Sequence, residues 1–242
     1  MQNQIFSVDN AKASKAVALG YLNAIHYMAP AAAAGVGNLC PNATPGCINV
    51  CLGLYSGHAA MVSAANPTNS VRDSRTAKAR RFMRQRSAYL FDLCKAIVAV
   101  EKQALKRGLV PVIRLNGSTD IAWEGIPVFH NGTMHRNVME AFPHLQFVDY
   151  TKSILRLYRK LPRNYHLTFS RSESNDDECM EVLSRKLANV AVVFHKIPRK
   201  WYGVPVINGD AHDLRHLDPK GVVVGLTPKG RKAKADTSGF IL

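Results

Sequence analysis

The chain has 242 residues, 47% of them hydrophobic, which is enough to bury a full core without covalent staples. A formal charge of +15 points to polyanionic partners such as nucleic acid, nucleotides or phosphorylated substrates, and says nothing about fold. The five cysteines are an odd count, so a disulfide framework would leave one thiol over.

In chain order, residues 16–36 come first, rich in Ala, Leu and Gly. The leader "MQNQIFSVDNAKASK" is too long for the basic start of a signal peptide and contains Asp9. Asn23, His26 and Tyr27 interrupt the apolar run, so it does not read as a membrane span either. Residues 11–28 are expected to form a helix and 29–39 a loop. No membrane partner is expected, and the expected location is cytoplasmic, where thiols stay reduced and free to bind metal.

The next stretch, "NLCPNATPGCINVCLG", carries Cys40, Cys47 and Cys51 in a C-x6-C-x3-C spacing. Three thiolates on one bent loop can converge on one centre. They suit a [4Fe–4S] cluster with one iron left open. They also suit zinc, with His58 as fourth ligand, although these gaps are wider than the common zinc spacings. The plainest reading is three reduced cysteines with no metal. Against it, unligated cysteines usually hide in apolar runs, and this loop is not one. Its prolines and glycines would let backbone amides turn toward sulfur.

Residues 71–107 look helical, with Leu90, Leu93, Cys94, Ile97 and Val100 on one stripe and Gly108 as the stop. Cys94 is therefore expected in the core. The first part, "VRDSRTAKARRFMRQR" (71–86), has seven Lys/Arg and one acid. It is a candidate phosphate-binding surface through Arg75, Lys78, Arg80, Arg81 and Arg84, with salt-dependent affinity. Its plainer reading is a solvated helix face.

From residue 109 a rhythm begins, in which short apolar runs end in polar clusters. The runs are "LVPVIRLNGSTD", "LQFVDYTKS", "YHLTFSRSESN", "NVAVVFHK", "VPVINGDAHD" and "GVVVGLTPKG", separated early on by helical or loop stretches at 153–161 and 176–188. Continuous apolar strands alternating with helices indicate an α/β fold with a mostly parallel sheet. We expect a single-domain, complete or partial parallel β/α barrel (TIM-like), with an open sheet as the alternative. The expected divisions are an N-terminal helix and lead-in (1–37), the cysteine-loop domain (38–230) and a mobile basic and polar tail (231–242). In such folds the chemistry lies at the carboxyl ends of the strands. Those ends carry Asn116, Ser118, Asp120, Thr151, Lys152, Ser170, Ser172, Glu173, Asp210, Asp213 and Lys229.

Further chemistry-bearing groups are His130 and His135 in "FHNGTMHRN", which read best as a polar loop, and "GDAHDLRH" (209–216). The second gathers Asp210, His212, Asp213, Arg215 and His216, suited to a divalent metal or to proton transfer. A salt bridge from Asp213 to Arg215 would explain it as simply. Cys179 has no assignment. No Walker loop, G-x-S-x-G or H-E-x-x-H is present.

"CPNATPGCINVCLG", "RLNGSTD", "DYTKS", "LTFSRSESN" and "NGDAHDLRHLDPKGVVVGLTPKG" resemble a bacteriophage family called Gene product 88, over about residues 38–230. The resemblance implies a phage origin and expression in the bacterial host's cytoplasm. More distantly, the order of features is similar to that of radical S-adenosylmethionine (SAM) enzymes. Those have an early cysteine loop, a partial β/α barrel and polar strand ends that hold SAM. "NGSTD" stands where their glycine-rich stretch binds the SAM amino group. The resemblance implies SAM contacts at Asn116, Ser118, Asp120, Ser170 and Glu173, while the strand ends and the "GDAHDLRH" cluster supply the catalytic candidates Asp120, Glu173, Asp210, His212 and Asp213. The loop departs from their usual C-x3-C-x2-C, and Gly117 alone remains of the glycine-rich stretch.

Two functions follow as expectations. One is an iron–sulfur enzyme acting on a nucleotide or nucleic acid. The other is a non-enzymatic phage protein that grips nucleic acid through residues 71–86, with a structural zinc or cluster. A phage effector that binds a host protein is a third class, with no residue pattern for or against it. Substrate and oligomeric state leave no mark in the residues.

Overall fold

The computed structural model describes residues 4–9 and 11–242, and of residues 11–13 the backbone alone. Six apolar runs form strands as expected: β3 (Val110–Arg114), β6 (Gln146–Thr151), β7 (Tyr165–Ser170), β8 (Val190–Val193), β10 (Val204–Asn208) and β11 (Val223–Leu226). Five further strands complete the set. They are β1 (Phe6–Ser7), β2 (Tyr21–His26), the hairpin β4 (Val128–His130) and β5 (Thr133–His135), and β9 (Lys200–Trp201).

Strand β2 corrects the helix expected over 11–28. Helix α1 (Ala11–Val17) ends early, and the chain turns at Gly20, whose φ of +83° lies in the left-handed region. Beyond it the residues alternate, with Leu22 and Ala24 packed in the main core and Tyr21 against the opposite face.

Residues 71–107 are also two helices rather than one. α4 (Ser70–Arg84) and α5 (Arg86–Lys106) meet at Gln85, whose φ of −134° breaks the helical path. The remaining helices are short. In the cysteine loop lie α2 (Pro45–Asn49) and α3 (Leu52–Tyr55), and later come α6 (Val138–Ala141), α7 (Ile154–Leu157), α8 (Asp176–Ser184) and α9 (Arg231–Lys234). The three acids in the first turn of α8 suit its dipole.

Nine strands form one sheet in the order β1-β2-β3-β6-β7-β8-β11-β10-β9. The seven inner strands are parallel, and β1 and β9 are antiparallel edges. The edges do not pair with each other among the described residues, so the fold is a large, mostly parallel sheet, and closure into a full barrel is not shown.

Register explains how the sheet is covered. Ala24, Ile113, Phe147 and Tyr165 are aligned neighbours on one face. They pack on Phe82, Leu93 and Ile97 of α4 and α5 in the largest core. The same face continues through Phe169, Val190 and Val223 onto Cys179 and Val182 of α8. Cys94 and Cys179 are thus core residues, buried by apolar neighbours. The opposite face is more polar, with Asn23, Arg114, Tyr150 and Thr168 in it. It is partly covered by Ala16 and Leu214, the latter from the β10–β11 crossover.

Residues 231–242 do not form a free tail. Ala233 and Ile241 are buried against Val50, and Leu242 exchanges main-chain hydrogen bonds with Val193 and His195.

Candidate metal centre and the groove beside it

The cysteine loop leaves the carboxyl end of β2 and is pinned at several points. Thr44 caps α2, its hydroxyl accepting from the Cys47 amide, and Pro45 occupies the first turn, where its missing N–H costs nothing. The Glu173 carboxylate, at the end of β7, takes the Thr44 hydroxyl and the Gly46 amide, each at 2.7 Å. A Cβ on Gly46 would sit 2.8 Å from the Glu173 carboxyl carbon, so only glycine allows this approach. Desolvation pushes the Glu173 pKa up, but the bonds from Thr44 and Gly46 outweigh it, and the net shift is downward.

Cys40, Cys47 and Cys51 are free, half-buried thiols that face one cavity of about 460 Å³. Backbone amides turn toward two of the sulfurs: Ala31 N–H donates to Cys40 Sγ at 3.2 Å, and Gly53 and Leu54 favour the Cys51 thiolate. Burial dominates the free thiols, raising Cys51 and pushing Cys40 up to about 12, with Cys47 and Cys51 adding to the rise at Cys40. The three sulfurs therefore lie within electrostatic reach of each other. No group of three or more His, Cys, Asp or Glu side chains among the described residues is gathered as a single ion would require. His58 lines the neighbouring groove, not this cavity.

The cavity walls come from the carboxyl ends of the parallel strands, and Asn116, Ser118, Asp120, Ser170 and Asp210 all line it. Several have prior engagements. Asn116 Oδ1 accepts from Thr119, the Ile121 amide and the Trp123 indole, while its amide nitrogen donates to Ile121 O and Asp149. Asp120 accepts from the Lys152 amide and pairs with Arg156 at 2.8 Å. Ser118 donates to Met28 O at 2.6 Å. Asp210 accepts from Thr227 and pairs with Lys229 at 3.1 Å. Desolvation would raise its pKa, but these contacts lower it. These side chains build the wall, so their role as free ligand contacts belongs to the proposal below.

The "GDAHDLRH" cluster is not one site. Asp213 is buried and pairs with Arg114 at 2.7 Å, rather than with Arg215, which pairs with Asp218 at 3.2 Å. His212 accepts the Leu214 amide, and desolvation followed by Arg215 lowers its pKa. His130 and His135 sit on the β4–β5 hairpin and line neither cavity nor groove. The basic stretch also divides. Arg75 and Lys78 line the groove, Arg81 pairs with Asp92 at 2.5 Å, and Arg80 and Arg84 are exposed.

Arg114, Tyr150, Arg171, Phe240 and Ile241, which had no role in the sequence reading, also face the cavity, together with the strand-end Lys152. Arg114 and Tyr150 are neighbours on the polar face, the guanidinium 4.7 Å from the ring. The Lys152 ammonium stands 5.3 Å from the Phe240 ring. Phe240 and Ile241 close one side, and Arg171 holds the Gly239 and Phe240 carbonyls there. A charge inside an otherwise apolar strand, as in "PVIRL", was the available signal for Arg114.

A family model for Gene product 88 matches residues 4–242, essentially the whole chain. The chain belongs to the Gene product 88 family. Gene product 88 membership supports the phage origin that the motifs implied, and extends the likeness beyond residues 38–230. No curated protein and no solved structure matches the chain. Among the described residues, no helix is long and apolar enough to cross a membrane.

Proposed function

We propose that this Gene product 88 chain is an iron–sulfur protein of the radical SAM kind in which Cys40, Cys47 and Cys51 hold a [4Fe–4S] cluster, and that, given its positive charge, it acts on a nucleotide or nucleic acid. The observation that carries it is that three thiols of one loop face a single cavity ringed by the carboxyl ends of parallel strands.

The donor set fits the group. Thiolates are the ligands such clusters take, and three of them leave one iron for a small ligand, where the cluster supplies a redox-active binding point. Amides aimed at Cys40 and Cys51 are the outer contacts that thiolate ligands use. Bridging sulfides hold the thiolates of a cluster further apart than a lone ion does. Such a spacing would have to be met within the one cavity that the three sulfurs share. Zinc fits less well, because His58 faces elsewhere. The chain's own residues would do the rest. Glu173 fixes the loop, Ser170 and the Lys152 ammonium offer polar contacts to a bound SAM, and Phe240 and Ile241 exclude water from one side.

A second reading, a nucleic-acid-binding protein with a structural metal, is supported by exposed Arg80 and Arg84. It predicts binding that weakens steeply with salt and is lost on reversing charge at Arg80, Arg81 and Arg84.

The test is purification without oxygen, quantification of iron, sulfide and zinc, and spectra with and without SAM. About four irons and four sulfides are expected, with a spectrum that shifts on adding SAM. Cys40→Ser, Cys47→Ser and Cys51→Ser should each lose iron, and Cys94→Ser should keep it. One zinc without sulfide, or full iron in Cys40→Ser, overturns the assignment.

A further inference from the structure

A second depression, of about 970 Å³, runs beside the cysteine cavity and shares Leu52, Arg114, Gly117, Asp210 and Lys229 with it. Its volume lies within the roughly 300–1,000 Å³ of small-ligand pockets. Cations reach it from several separate elements: Lys15 from α1, Arg75 and Lys78 from α4, Arg114 from β3 and Lys229 from beyond β11. Two of the five are neutralised, Arg114 by Asp213 at 2.7 Å and Lys229 by Asp210 at 3.1 Å.

The other three rest on carbonyls. Lys15 Nζ donates to Asp210 O at 2.5 Å, Arg75 to Gly53 O at 2.5 Å, and Lys78 Nζ to Gln4 O and Ile5 O at 3.3 and 3.5 Å. Carbonyl oxygens solvate a cation without cancelling its charge. Lys78 is nearly buried; desolvation and then the charge of Arg75 bring its pKa down to about 8, a direction expected for an ammonium without a counter-ion. Asp9 is the one further carboxylate among the described lining residues. Ser70 and Ser74, in the first turns of the fifteen-residue α4, add hydroxyls at the positive end of a helix.

We propose that this groove binds the phosphates of a nucleotide, with Lys15, Arg75 and Lys78 as the counter-charges, and that the nucleotide's other end reaches the cysteine cavity past Leu52 and Gly117. The phosphate site stands on the groove alone. Only the reach into the cavity rests on the iron–sulfur reading.

The test is calorimetric titration at fixed salt with inorganic tripolyphosphate, a nucleoside triphosphate and a short single-stranded oligonucleotide. Wild type should bind both small phosphates, the nucleoside triphosphate more tightly. A Lys15→Ala/Lys78→Gln double variant should lose at least about tenfold in affinity for each. Because Lys78 is buried, Lys15→Ala at its exposed position provides a variant that leaves folding intact, and it should weaken binding several-fold. Cys40→Ser should bind tripolyphosphate as wild type does even when it holds no iron, which separates this site from the cluster. Absence of binding by both small phosphates overturns the proposal. So does equal affinity in wild type and both lysine variants, or binding of the oligonucleotide alone.

Discussion

Asp149 and His26 show how single buried groups set the behaviour of the site's supports. Asp149 accepts from the Asn116 amide at 2.7 Å and the Tyr165 hydroxyl at 2.8 Å, yet desolvation raises its pKa to about 7. His26 lies between Leu115 O and the Tyr89 hydroxyl. The carbonyl only accepts, so Nδ1 carries a proton, and in the neutral ring Nε2 accepts from the Tyr89 hydroxyl. Burial, with help from Lys78, lowers its pKa to about 3. The signs oppose. Between about pH 4.5 and 6.5 the unfolded chain has released the Asp149 proton that the fold keeps, so this group lowers stability as pH rises. Over the same window the unfolded chain protonates His26 and the fold does not, so His26 raises stability with pH. Asp149→Asn removes one of the two contributions. Its stability relative to wild type should climb by about 1.4 kcal/mol per pH unit across that window, measured by urea unfolding. Parallel curves for the two proteins would show that Asp149 does not hold its proton in the fold.

At the scale of elements, the five-residue α2 is too short to form on its own propensity. It depends on Thr44 and on the Glu173 carboxylate, which arrives from more than a hundred residues away. Glu173→Ala should cost about 1–3 kcal/mol locally, because it strips a charged acceptor from two donors. The expected readout is faster iron release to a chelator from anaerobically loaded protein, with little change in global melting. An unchanged release rate would mean that the loop holds its shape without Glu173. The six inner strands from β3 onward were legible because they are continuous apolar runs. β2 was not, because "YLNAIH" follows an alanine-rich helix and its period of two is only six residues long. β1 and β9 have two residues each, below any periodic signal. That the three cysteines share one bent loop was legible by type and spacing, but the cavity they face was not. The work of Asn116, Asp120 and Glu173 was not, since each was visible only as a polar strand end, and partners distant in sequence turn each into scaffold.

Across the whole molecule, the excess of positive charge is not spread evenly. Arg114, Arg156 and Arg215 are buried in ion pairs with Asp213, Asp120 with Glu124, and Asp218, while the groove also collects Lys15, Arg75 and Lys78, which have no carboxylate partner among the described residues. The cavity is likewise a product of both ends of the sequence. Pro30 to Cys51 form one side, and Phe240 and Ile241, seated on Val193 and Val50, form another. Removing residues 237–242 deletes the buried Ile241, worth about 1.5–3 kcal/mol, and the half-buried Phe240, and it uncovers Val50 and Val193 beneath them. Melting should fall by roughly 5–10 °C, and loaded iron should become open to chelation. Melting unchanged by the truncation would show that the segment adds nothing to the fold. The placement of that segment has a consequence in time. A ribosome delivers the three thiols early and the wall that shelters them some 190 residues later. At about 5–20 residues per second, the thiols spend on the order of ten seconds or more without that wall. Were the proposed cluster loaded here, it would have to enter before residues 240 and 241 arrive, or past them once they are seated on Val193 and Val50.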